Sequence, residues 1–131
     1  MRKEDWPSRL AAYLQSRQKT PFKWGSNDCV SFAAGAVEAM TGTNPMPSLK
    51  YRSAKTAAAA VDKRGGLKKA VDGALKGARV RVAFARRGDV VMADIEGRDT
   101  VTVCIGHALI GPGADGLVTV PLTRGCCAWR V

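Results

Sequence analysis

The stretch Phe22-Lys23-Trp24-Gly25-Ser26-Asn27-Asp28-Cys29-Val30-Ser31-Phe32 decides how this chain is read. Asn27 and Asp28 are short polar residues whose side-chain oxygens suit the first free N–H groups of a helix. Behind them Val30, Phe32, Ala33, Ala34, Ala36, Val37, Ala39 and Met40 predict a helix to about Thr41, with Glu38 its only charged side chain past the first turn. A helix that is apolar around most of its circumference belongs at the centre of a core. Gly42 fits as its C-terminal cap, and Thr43-Asn44-Pro45 as the stop. Cys29 then lies in the first helical turn, where the dipole and unpaired N–H groups favour a thiolate. Burial among Trp24, Val30 and Phe32 would push the other way.

Upstream, Leu10, Ala11, Tyr13 and Leu14 recur at helical spacing and predict an amphipathic helix over Trp6 to Gln18, with Pro7 in its first turn. Pro21 biases Thr20 away from helix, so the aromatic connection to Trp24 is extended. Downstream, Ser53 to Lys63 and Leu67 to Leu75 read as two shorter helices, broken by Gly65-Gly66 and closed by Gly77. The pattern then changes to short apolar or alternating runs. These predict strands over Val80 to Phe84, Asp89 to Ala93, Val101 to Ile105, Ala108 to Ile110, Leu117 to Val120 and Ala128 to Val131. Helices first and strands afterwards imply an α+β domain with an antiparallel sheet. At 131 residues the chain has room for one core of ordinary size, so residues 1–131 read as one domain.

Apolar residues at 46% and charged residues at 24% exclude a disordered chain. No apolar run reaches the roughly 20 residues that span a bilayer, and no signal-peptide core follows the first residues, so synthesis and folding in a cytosol are expected. The net charge is +10, and the segment Lys50 to Arg87 supplies the excess, with twelve Lys or Arg against Asp62 and Asp72. Such a segment attracts nucleic acid, anionic cell-wall polymer or an acidic protein, and it also reads as a solvated helical face.

The Trp24-Gly25-Ser26-Asn27-Asp28-Cys29 start, followed much later by Arg86-Arg87-Gly88-Asp89-Val90-Val91, resembles the two hallmarks of NlpC-type papain-like murein peptidases. With Ala128-Trp129-Arg130-Val131 at the end, the pattern is most similar to a phage-encoded branch found among tail genes. The resemblance implies a papain-like fold in which N-terminal helices pack on a C-terminal sheet, with Cys29 at the nucleophile position. It implies a virion-tail protein, assembled in the host cytoplasm, whose partners are other tail-tip proteins and, in an active form, peptidoglycan. Nucleic acid is a further partner that the basic segment allows. No cofactor and no metal are implied.

A cysteine peptidase needs an imidazole to take the thiol proton and return it to the leaving amine. The resemblance places that histidine at the start of a strand, and setting the family segment against Thr100-Val101-Thr102-Val103-Cys104-Ile105-Gly106 puts Thr100 there. His107 is the only histidine. It lies seven residues further on, about 23 Å along an extended strand, and its side-chain parity is opposite. It reads as an exposed turn residue, and only a shifted register makes it the base. Asp28 reads either as an N-cap or as a group orienting site partners, Asp89 as the residue fixing the start of its strand, and Trp24 and Trp129 as core or interface anchors. The expectation is therefore a tail-assembly protein with a peptidase-like fold that has lost its reaction, the alternative being a murein endopeptidase using Cys29. Of the remaining cysteines, Cys104, Cys126 and Cys127 read as small apolar side chains. A gathering of Cys29, Cys104 and one of Cys126 or Cys127 around a metal or iron–sulfur cluster has no support in their spacing.

Overall fold

A computed structural model describes residues 1–131. Helix α1 (Trp6–Arg17) carries Pro7 in its first turn and buries Leu10. Its Tyr13 hydroxyl donates to the Phe32 carbonyl at 2.8 Å, which fixes it against helix α2 (Cys29–Thr41). α2 starts at a capping box. The Asp28 carboxylate accepts from the backbone N–H groups of Val30 and Ser31, and the Ser31 hydroxyl accepts from the Asp28 N–H at 3.0 Å. It ends at Gly42, whose φ of 86° lies in the left-handed region that glycine enters without strain. Helices α3 (Ala54–Asp62), capped by Ser53, and α4 (Leu67–Ala74) are separated at Gly65-Gly66.

The second half forms strands β1 (Arg79–Val80), β2 (Val90–Ile95), β3 (Arg98–Cys104), β4 (Leu109–Gly113), β5 (Gly116–Val120) and β6 (Gly125–Trp129). They make one antiparallel sheet in the order β1-β6-β2-β3-β4-β5. The protein is α+β, with helices N-terminal and strands C-terminal. No helix is long and apolar enough to cross a membrane.

Two strand expectations need correction. Of the run Val80 to Phe84 only Val80 is paired, as the second residue of β1, and Val82–Phe84 closes into a 3-10 turn through the Phe84 N–H to the Arg81 carbonyl. Phe84 is 63% exposed, so the run lacks the buried face that would hold it as a strand. The last strand begins earlier and stops at Trp129, because its partner β2 begins at Val90, paired with Trp129, and the Val131 N–H is taken by the Asp89 carboxylate.

Strand alternation divides the sheet into two apolar faces. Val90, Met92, Val101, Val103 and Trp129 meet Val30, Phe32, Ala33 and Val37 of α2. Val91, Ala93, Cys104, Leu109 and Ala128 form the opposite face, covered by residues such as Val82 and Leu122 from the two 3-10 turns. This division places Cys29 against one particular side of β3.

Candidate functional site at the start of α2

Asp28 is 1% exposed, and both carboxylate oxygens are engaged. Oδ1 accepts from Val30 N at 3.0 Å, Ser31 N at 3.1 Å and the Tyr51 hydroxyl at 2.5 Å, while Oδ2 accepts from Gly25 N at 2.8 Å. Asp28 is thus the N-cap and also the anchor of the strap formed by residues 49–52. The strap lies so close that a Cβ on Gly25 would stand 2.2 Å from the Tyr51 carbonyl oxygen. Gly25 also has φ 87°, so both space and conformation require glycine there. Asn27, 2% exposed, braces the turn from the other side: its amide donates to the carbonyls of Thr20 and Pro21, and its oxygen accepts from Arg17 at 2.9 Å.

Cys29 follows this hub and is packed against the core that α2 shares with β3. Burial pushes its thiol above the ordinary cysteine pKa. Hydrogen bonding from the Val101 backbone pulls it back, and the Asp28 charge raises it further. Between the opposing effects open in the sequence, burial wins. Tyr51 supplies no base either, since burial and its bond to Asp28 hold the phenol well above its ordinary value.

The β3 residues that share the helix-side core with Cys29 are Val101 and Val103. Thr100 has the opposite parity, and its hydroxyl donates to the Arg98 carbonyl at 3.2 Å. His107 is exposed in the turn joining β3 to β4, beyond the last rung Cys104–Leu109. From Val101 to Cys104 the strand alone advances about 10 Å before that turn begins. The fold therefore brings Cys29 and Asp28 together with Tyr51 and does not bring His107 to them. Tyr51 carries no local motif that marks it as their neighbour, because its contact spans 23 residues.

Asp89 is fully buried and fixes the start of its strand by accepting from the Arg86 N–H at 2.9 Å. It also accepts from Arg2 at 2.8 Å and from the Val131 N–H at 3.1 Å, with Arg130 3.2 Å away. Trp129 is a core residue whose indole N–H donates to Asp72 at 2.8 Å, whereas Trp24 is 40% exposed beside the strap.

The cysteine gathering does not form. Cys104 is buried in the sheet face opposite the one α2 covers, and its sulfur accepts from the Gly106 N–H at 3.4 Å. Cys126 and Cys127 alternate along β6, Cys126 exposed and Cys127 packed on the helix-side core. No three Cys, His, Asp or Glu side chains are grouped to hold a metal ion.

A family model described as Domain of unknown function (DUF6950) matches residues 1–131. No curated protein matches the chain.

Proposed function

The chain belongs to the DUF6950 family, and we propose that it is a structural or assembly protein of a phage tail tip that keeps an NlpC-type, papain-like scaffold without the peptidase reaction. One observation carries the loss of reaction: the only imidazole, His107, is exposed in the β3–β4 turn beyond the Cys104–Leu109 rung, while Cys29 packs into the helix-side core beside Val101 and Val103. The nearest carboxylate is already occupied by four donors. A thiol that stays protonated and has no base to relieve it is a poor nucleophile.

The tail assignment is supported by the resemblance of Trp24-Gly25-Ser26-Asn27-Asp28-Cys29 and Ala128-Trp129-Arg130-Val131 to the phage branch. A cysteine-headed helix packed on an antiparallel sheet is the arrangement that resemblance implies. The protein then acts in the virion tail after assembly in the host cytoplasm, with other tail-tip proteins as partners.

Incubation of the purified protein with murein sacculi tests the reading. No peptide release is expected. Release that disappears in Cys29→Ala would establish an endopeptidase and overturn it. Immunogold labelling of intact virions checks the location: label at the tail tip supports the assignment, and label elsewhere or none contradicts it.

A further inference from the structure

Beside the start of α2 lies an open groove of about 450 Å³, lined by Lys23, Trp24, Leu49, Lys50, Tyr51 and Arg52. Its two rings, Trp24 and Tyr51, stand edge to face, and Phe22, outside the lining, meets Trp24 edge-on. Phe22 and Trp24 have centroids 4.9 Å apart at 86°, and Trp24 and Tyr51 are 6.4 Å apart at 67°. Phe22 and Trp24 remain 36% and 40% exposed. The three cations are exposed and enter no ion pair, and no carboxylate lines the groove. The wall is fixed in advance, because the Tyr51 hydroxyl is held by Asp28 and Asp28 by the helix start.

We propose that this groove docks an acidic, partly apolar peptide segment of a partner protein. The uncompensated cations select negative charge, and the exposed rings with Leu49 offer apolar contact that charge alone does not use. A single strand of nucleic acid fits less well. It needs rings that present free faces to successive bases along a cationic track several nucleotides long. Here the rings stand across one another, forming a wall suited to an aliphatic side chain. A preformed wall also lowers the ordering cost of binding. The inference goes beyond the tail reading, since docking needs neither the presence nor the absence of a reaction at Cys29.

Fluorescence anisotropy with a labelled peptide in which Glu alternates with Leu tests the proposal, against the same peptide with Gln for Glu and against labelled oligothymidine. The Glu peptide is expected to bind, and the Gln peptide to bind at least about tenfold more weakly. The double substitution Lys50→Gln/Arg52→Gln changes only exposed side chains, so it keeps the fold, checked by its thermal unfolding. It is expected to weaken the Glu peptide by about tenfold, and Trp24→Ala by a similar factor. Three results would overturn the inference: no binding of the Glu peptide, equal binding of the Gln peptide, or affinity unchanged in the double variant. Oligothymidine binding more tightly than the Glu peptide, with loss in the same variant, would assign the groove to nucleic acid instead. Murein release would overturn the proposed function and leave this groove untouched, so the two can fail separately.

Discussion

Asp28 and Asp89 are buried to the same degree, 1% and 0% exposed, yet they are held by opposite means. Asp28 is surrounded by neutral donors, three backbone N–H groups and the Tyr51 hydroxyl. Asp89 faces charge, with Arg2 at 2.8 Å and Arg130 at 3.2 Å, and with the Val131 N–H. Asp89 therefore ties both ends of the described chain to the start of β2, across 87 residues on one side and 42 on the other. Asp28 organises a local turn and one strap. The difference teaches that an Asp beside a cysteine need not be part of a catalytic set: its acceptor capacity is spent on holding backbone.

Removing the charge from the Asp89 cluster is expected to have the largest effect. Asp89→Ala leaves two guanidinium groups, one of them Arg2 with only 13% of its side chain exposed, without their counter-charge. The expected loss is about 3–5 kcal/mol of unfolding free energy, read from urea denaturation. A loss below that of Asp28→Ala would invert the comparison.

Asp28→Ala comes next. It removes a helix cap and strands the Tyr51 hydroxyl and the Gly25 N–H, for an expected loss of about 2–3 kcal/mol. Tyr51→Phe sharpens the division within that site, because it cuts only the strap and leaves the cap. It should cost about 1 kcal/mol and increase amide hydrogen exchange in residues 49–52 without affecting α2. Equal exchange in strap and helix would show that the two are not separable.

The smallest effect concerns Asp72, an aspartate more exposed than either. Arg79, bonded to both its oxygens, and then the Trp129 indole hold its carboxyl down at about 2. Because the folded pKa lies below the ordinary value of 3.8, its contribution is present above that value and is lost as pH falls through about 2. Arg79→Gln should flatten the fall in urea midpoint across that acid window and leave the neutral-pH slope unchanged. An unaltered acid profile would mean that the pair does nothing for stability.

Much of the fold was legible because its punctuation is local. Asp28, Gly42 and Gly65-Gly66 mark helix ends through their own chemistry, and the alternating runs mark most strands. The place of β6 between β1 and β2 was not legible, since pairing depends on contacts distant in the chain. Val82–Phe84 misled because an apolar run carries no information about whether a partner strand exists beside it. At the site, Val101 and not Thr100 lies on the side of β3 that shares the core with Cys29. On a strand one residue is a change of face, from the α2 side at Val101 to the other side at Thr100. Tyr51 left no signature at all, because only folding brings the strap to Asp28.

The central claim is that Cys29 is a scaffold thiol and not an activated nucleophile. The most direct test is the rate of iodoacetamide alkylation at each cysteine of the folded protein as a function of pH, mapped by peptide mass spectrometry, with exposed Cys126 as the internal reference. The account predicts that Cys29 reacts more slowly than Cys126 at neutral pH and gains rate only above the ordinary thiol range. Cys29 alkylating faster than Cys126 at neutral pH, with a rate already level there, would contradict it.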